Sequence, residues 1–516
     1  MRWPISLLAF FSIFWAYCDS DKKSNLILRY NETESIRSLD PVQSFKRAHI
    51  WVTRLWAETL LEIDSTGQPV PHLISGYRWS SDGKVLIMGI KQNILFHECP
   101  CFYSEDDRKL KPEDVVFSLQ RSAQHPASAW LFSNVSDSSE KQKKIYCKAD
   151  SVIIHFKRPS PTFTKLLANP QCAIVSEKAV KFFGEKFFRN PVGTGPFFFK
   201  NWIPEQLLIF SRFEDYRKSF EPTGDGQLIE QIHISFIRDR QAEILNFLVG
   251  NLDFLIASDR NLALFFLCSK GQLKSEFQNK IKYSKDLMLN TEYLAFNLES
   301  NCIPCKNKTV RRFVYHQIER KRLIQEALEN LAIEADASII PPKIRMNSSY
   351  NLKPGKEATF KLILHTTAPY SLQGAIIKEM LRVKNIDLNL QLSDPATHKT
   401  SVANGEFDFF RASWIADYPD AENYYSLFYS FFKAPNGPNY SRFQNSYYDF
   451  LYEKFTEEND YEKRRQLASE MDSILLEEMP VIPLYYDVQL RFIKHNLHNL
   501  TFDVSGNPDL RWVYLK

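Results

Sequence analysis

Strand-type and helix-type hydrophobic patterns alternate along this chain from end to end, and no linker interrupts them. Residues 26–30 read as a strand. Residues 52–61 read as a helix with Val52, Leu55, Trp56 and Leu60 on one face. Ser80-Ser81-Asp82-Gly83 separates two strand patterns, and Asp-Gly suits the positive φ angles of a hairpin turn. Pro112, followed by Glu113 and Asp114, opens a helix: a first turn does not need the missing N–H, and acidic side chains favour that end. Further strands are expected at 151–156, 197–200, 207–210, 231–237 and 252–255, and further helices at 176–188 and 239–249. A long helix over 311–331 follows, then a strand–helix–strand run over 359–392, then a helix at 461–478 stopped by Pro480 before a strand at 481–486. This mixture implies an α/β architecture. No fixed-period repeat points to a solenoid or propeller. The length of 516 residues suggests about three domains. Domains joined without linkers are expected to share crossing strands.

Composition removes several classes. With 44% hydrophobic and 24% charged residues, the chain can bury a large core, which excludes disorder, collagen and small disulfide scaffolds. No internal apolar run approaches the ~18 residues of a membrane span. Lys plus Arg exceed Asp plus Glu by 65 − 61 = 4, a balance that argues against a nucleic-acid binder. The N-terminus reads as an export signal over residues 1–17: Met1 and Arg2, the apolar stretch 5–17, then polar residues 19–23. The alternative is an uncleaved N-terminal anchor. Cys18 stands where a lipoprotein is cut and lipidated, although Trp15 and Tyr17 are bulkier than the residues that usually precede such a cysteine.

Eight cysteines are present, and seven remain if Cys18 carries lipid, so at least one thiol is then free. His97-Glu98-Cys99-Pro100-Cys101 and Cys302-Ile303-Pro304-Cys305 have two readings. They join in a zinc site, or the second pair closes a small loop disulfide, as suits an exported protein. Gly193-Thr194-Gly195 is followed by Pro196 and a Phe-rich strand rather than a helix N-terminus, which argues against a phosphate loop. Neither a nucleophile elbow, a His-Glu-x-x-His pair nor a Walker loop occurs, and the 11 histidines are dispersed. The chain reads as a non-enzyme without cofactor or metal.

Five stretches stand in order: Ser38-Leu39-Asp40-Pro41 with Glu58-Thr59-Leu60-Leu61; residues 111–121 (KPEDVVFSLQR); residues 190–197 (NPVGTGPF) through Trp202; Ala242 through Gly250 to Asp253; and residues 413–420 (SWIADYPD). Together they resemble the extracytoplasmic oligopeptide-binding proteins of ABC transporters, the dipeptide/oligopeptide/nickel class of solute receptors. The resemblance implies a type II periplasmic-binding-protein fold: two lobes closing about a hinge, built from three discontinuous domains. Domain I would take 25–57, 174–290 and 489–516, domain II 58–173 and domain III 291–488. It also implies that His97 is a turn residue rather than a ligand. The partners it implies are an oligopeptide, permease subunits and their ATPases. The protein would be a monomer in the periplasm or cell envelope, with membrane association only through a lipid at Cys18.

Receptors of this class bind an extended peptide as an added strand. Asp417 matches the family's ammonium-binding aspartate; read alone, it is a helix cap before Pro419. Arg411 matches an arginine that can meet a short peptide's carboxylate; read alone, it is a surface arginine. Ser413, Trp414 and Ile415 would supply backbone partners on one side of the ligand, and Ser44, Phe45, Lys46 and Arg47 on the other. Ser413 stands where glycine is common, Asn290 and Ile415 replace a cysteine pair, and Ser371 replaces a histidine. A receptor of the same fold for haem, a nickel chelate or a cell-wall peptide is the alternative, as is a surface sensor or adhesin without transport. The aromatic doublets Tyr424-Tyr425, Phe428-Tyr429 and Phe431-Phe432 read as core packing.

Overall fold

The computed structural model describes residues 26–126, 128–136, 144–216, 226–257, 260–268, 271–347 and 352–516. The expected signal peptide over 1–17 and the lipidation site Cys18 lie outside them. No helix among the described residues is long and apolar enough to cross a membrane.

One core holds two four-stranded sheets. In the first, Ile27–Asn31 runs parallel to Gln231–Ser235, followed by antiparallel Leu207–Arg212 and Phe197–Ile203. The second is an antiparallel sheet ordered Ile74–Trp79, Val85–Ile90, Ser151–His155, Ile145–Lys148. Alternate residues such as Leu86, Met88, Val152 and Ile154 point into the core and are buried, the period of two expected of half-covered strands. Helices Arg47–Trp56 and Pro112–Gln124 close the same core with Trp51, Val52, Leu55, Val115 and Leu119.

The first helix spans Arg47–Trp56 rather than 52–61. A continuing turn would use the Trp56 carbonyl, but the Gly195 N–H donates to it at 3.0 Å, and Ala57 turns extended. The glycines permit this approach: a Cβ on Gly193 would lie 2.2 Å from the Trp56 oxygen, and one on Gly195 2.6 Å from its carbonyl carbon. His97 holds the loop from below. Its ring nitrogens meet the Gly195 carbonyl at 2.8 Å and the Gly193 N–H at 3.5 Å. Burial pushes its pKa down to about 4, so the ring is neutral and can donate at one nitrogen and accept at the other. Cys99 pairs with Cys101 and Cys302 with Cys305 as disulfides. Among the described residues no group of three or more His, Cys, Asp and Glu could hold a metal, so the zinc reading gives way to two loop disulfides.

A charged network ties the loop to the second sheet. Glu58 accepts from Thr194 and Tyr216 hydroxyls, each at 2.8 Å, and contacts His72 at 2.6 Å. His72 also meets Glu62 at 3.2 Å, and Glu62 pairs with Arg511 at 3.0 Å. Burial alone would lower the His72 pKa, but Glu58 and Glu62 outweigh it and push it up to about 9.

The rest of the chain is organised on a seven-stranded sheet ordered Phe254–Ala257, Val481–Lys494, Ile281–Phe296, Phe409–Ile415, Phe360–Thr367, Ile386–Ser393, with Ala332–Glu334 beside Val481–Lys494. Ile281–Phe296 and Val481–Lys494, 16 and 14 residues long, pair antiparallel from Ile281↔Lys494 to Ala295↔Val481. One end of this pair packs with Phe247, Leu262 and Phe266, and the other lies between two further cores. The register shifts between Leu287 and Thr291 and again between Glu292 and Tyr293. The helix expected over 311–331 is two, Lys308–Gln317 and Arg320–Leu328. Ile318 is buried and extended between them, and the buried Arg320 guanidinium donates to the carbonyls of Ile318 and Pro483. Tyr424, Tyr425, Phe428 and Tyr429 are core, whereas Phe431 is 75% exposed.

A buried ion cluster joins the core of the two four-stranded sheets to the segment around Asp420. Lys165, beside the first core, reaches Asp420 at 2.7 Å, and Arg464 grips the same carboxylate at 2.9 Å. Burial would raise the Asp420 pKa, but Arg464 and Lys165 outweigh it and hold its carboxyl well below the usual range. A cavity of about 450 Å³ lies beside this cluster, lined by residues such as Gln68, Trp79, Lys165, Arg345, Asp420 and Arg464.

Gly193→Ala should lower stability by about 1–3 kcal/mol in urea melts, because the added methyl must push the Trp56 backbone away. The raised His72 pKa adds stability that is complete below about pH 6.5 and lost as pH rises through about 9. It is on the order of 3 kcal/mol. Urea midpoints measured from pH 6 to 10 should fall over that window in the wild type and stay flatter in His72→Gln. Asp420→Asn should destabilise by about 3–5 kcal/mol, because it strands two buried cations. Lys165→Met should cost less, since Arg464 remains, and should enlarge the radius of gyration measured by small-angle X-ray scattering.

Candidate ligand-binding site

Phe409–Ile415 is flanked unequally. On one side it pairs with Ile281–Phe296 along its whole length, from Asn290↔Ile415 to Phe296↔Phe409. On the other it meets Phe360–Thr367 only at Leu364↔Phe409 and His365↔Phe410. The Ala416 N–H donates to the Leu289 carbonyl at 2.9 Å, so 412, 414 and 416 turn their backbone groups toward the paired neighbour. By alternation, the backbone groups of Arg411, Ser413 and Ile415 point to the open side. The inner end of this edge is closed, because His398 donates to the Arg411 carbonyl at 2.9 Å. Ser413 and Ile415 are left as a short edge able to take another strand. Trp414 is turned away: its indole N–H donates to Asn423 at 2.7 Å, and its ring packs into the core with Tyr424 and Tyr425.

The two aspartates that follow have opposite environments. Asp420 caps the next turn, accepting from the Glu422 N–H at 3.0 Å, and is fully paired. The cap reading considered for Asp417 therefore belongs to Asp420. Asp417 keeps an open path to solvent, yet enough protein surrounds it that burial raises its pKa, with the Asn423 side chain lowering it in part. Among the described residues no Lys or Arg pairs with it. An accessible carboxylate without a cationic partner is able to pair with a cation from solution.

Arg411 is already engaged. Its guanidinium pairs with Glu292 and lies over the Tyr370 ring, 3.3 Å from the centroid. The side chains of Arg411 and Glu292 are only 13% and 4% exposed, so Arg411 is not a surface arginine. Asn290 donates to Asp487 next to them. Burial, with Asp487 adding to it, pushes the Glu292 pKa up to about 7 against the pull of Arg411. Burial also raises Asp487.

The other predicted segment is committed elsewhere. The Ser44 and Phe45 N–H groups donate within the local turn, to Pro41 and Gln43 carbonyls at 2.9 and 3.0 Å. The Ser44 hydroxyl meets Thr53 at 2.5 Å. Lys46 pairs with Glu34, its carbonyl accepts from Ile50, and Arg47 pairs with Glu32 at 3.2 Å over Trp51. Phe45 is 58% exposed. Among the described residues no hydrogen bond or ion pair joins 44–47 to 411–417. Sequence reasoning did not find Glu292, Tyr370 or Asn423. Glu292 had one signal, an acid directly before the apolar run Tyr293–Phe296.

Comparison with known proteins places this geometry in a family. The family model described as the middle part of bacterial extracellular solute-binding proteins, family 5, matches residues 68–436. The chain is 22% identical to the probable deoxycholate-binding periplasmic protein YgiS of Escherichia coli, covering 91% of this chain and 89% of that protein. It is 23% identical to the periplasmic oligopeptide-binding protein OppA of Salmonella typhimurium, covering 96% and 92%. The structure of HbpA2 from Haemophilus parasuis superposes with a TM-score of 0.81 at 18% identity, covering 95% of this chain and 100% of that one, a likeness of fold. The α/β architecture is thus that of the bilobed periplasmic-binding proteins, and the family's role is that of a receptor and not of an enzyme. The chain belongs to the bacterial extracellular solute-binding proteins of family 5.

Proposed function

We propose that this protein is the extracytoplasmic receptor of an ABC importer and that it binds oligopeptides as an added strand along the open edge at Ser413 and Ile415. The observation that carries this reading is the edge itself, which runs out at an unpaired carboxylate, Asp417. A peptide laid there makes main-chain hydrogen bonds that ignore its sequence, and its ammonium finds the charge that Asp417 lacks. The ligand classes in the relatives' names include deoxycholate and oligopeptide. An anionic amphiphile would meet Asp417 with like charge, so the peptide fits better.

In this reading residues 25–57, 174–290 and 489–516 with 58–173 form one lobe, and 291–488 the other. The long strand pair is the hinge, and the Lys165–Asp420–Arg464 cluster holds the closed state. The receptor acts as a monomer on permease subunits driven by ATPases, tethered by lipid if Cys18 is modified.

Asp417→Asn should weaken a peptide with a free N-terminus by more than about 100-fold, the size of a buried ion pair losing one partner, and an N-acetylated peptide far less. Titration calorimetry on both peptides measures this, and equal losses would sink the assignment. Native mass spectrometry of the purified protein should show a heterogeneous set of retained peptide masses.

A further inference from the structure

Arg411 is the only cation of the strand that carries the open edge, and it stands 417 − 411 = 6 residues before Asp417. That is on the order of 20 Å along a strand. A peptide whose ammonium sits at Asp417 and which follows this edge therefore sends its C-terminus toward Arg411. A free arginine there would take the carboxylate through its two-pronged fork.

The fork is not free. One terminal nitrogen is held by Glu292, Nε is buried and out of reach of solvent, the plane is covered by Tyr370, and the backbone carbonyl is bonded to His398. Glu292 lies across the strand pair, opposite Ser413, so it reaches the arginine on a diagonal within one sheet face. Asp487 adds a second carboxylate, tied to Asn290, which is itself opposite Ile415. The group thus holds two carboxylates and one guanidinium. To greet a ligand carboxylate, Arg411 would have to abandon Glu292. That would leave Glu292 buried without a counter-charge or force it to take up a proton, a cost set against any new ion pair with the ligand.

We propose that Glu292 is a specificity-determining residue. By occupying Arg411 it makes the far end of the cleft unresponsive to a peptide's C-terminal carboxylate, so the receptor selects its ligands by the amino end. Peptides that end at Arg411, peptides that run past it and peptides with a blocked C-terminus are then accepted alike. This rests on the peptide reading above, and the experiment separates the two.

The test is calorimetric binding at pH 8 of trialanine and tetra-alanine, each as free acid and as C-terminal amide, with the N-acetylated forms as controls. Wild-type affinities for acid and amide should agree within about threefold, or favour the amide. Glu292→Gln, which keeps the shape and removes the charge, should shift the ratio toward the acid by tenfold or more while keeping its preference for a free amine. Arg411→Met should leave the wild-type ratio unchanged. A wild-type preference for the acid of tenfold or more, abolished in Arg411→Met, would overturn the proposal while leaving the peptide reading intact. So would a Glu292→Gln protein that discriminates free from acetylated amines but shows no shift. The wild-type ratio decides on its own if Glu292→Gln does not fold. If no free-amine peptide binds, the peptide reading falls and this inference with it.

Discussion

The antiparallel pairing of Ile281–Phe296 with Val481–Lys494 is the constraint on which the rest depends. Strands in globular proteins commonly run 3–10 residues, and this pair exceeds that because its two ends are buried in different cores. Residues 281–287 and 488–494 pack with the segment around Phe254, while 291–296, paired with 481–486, run beside the strand that carries the candidate site. The register breaks between these halves, at 287–291, where a continuous ladder would stiffen the crossing. Asn290 sits at that break, and the open edge begins opposite it at Ile415. The site and the crossing are therefore one piece of backbone geometry, and a shift at one alters the other.

Charge placement separates holding from binding. Glu58, His72, Glu62 and Arg511 form a compensated network beneath the glycine loop, and Asp420 is compensated twice over. Asp417 alone among these carboxylates is left with an amide for company. A carboxylate crowded by protein and without a counter-charge is held less favourably in its charged form than one paired as Asp420 is. The two ends of the edge therefore differ in charge: Asp417 has no cationic partner at one, and Arg411 is paired with Glu292 at the other.

Much of the architecture was legible because it rests on local rules. The hairpin around Gly83, the helix opened by Pro112, the stop at Pro480 and the α/β mixture all follow from turn chemistry and periodicity. The failures have a common cause. Helix Arg47–Trp56 ends early because the Gly195 amide, 139 residues further on, takes the Trp56 carbonyl. The expected helix over 311–331 breaks at Ile318, where Arg320 donates to a carbonyl of the distant strand at Pro483. Asp417 was singled out by its motif, but which of the two aspartates is a cap and which is free depended on where Lys165 and Arg464 came to rest.

The sequence by itself determined the mixed α/β class, the absence of linkers, the glycine loop and the segment carrying Asp417, since each depends on residue type and near neighbours. Tertiary structure alone decided which strand edge stays open, that Asp417 is unpaired and that Arg411 is taken by Glu292. Those outcomes hinge on groups distant in sequence, such as Glu292 and Arg411 119 residues apart, meeting within hydrogen-bond range, and no local pattern specifies such an encounter.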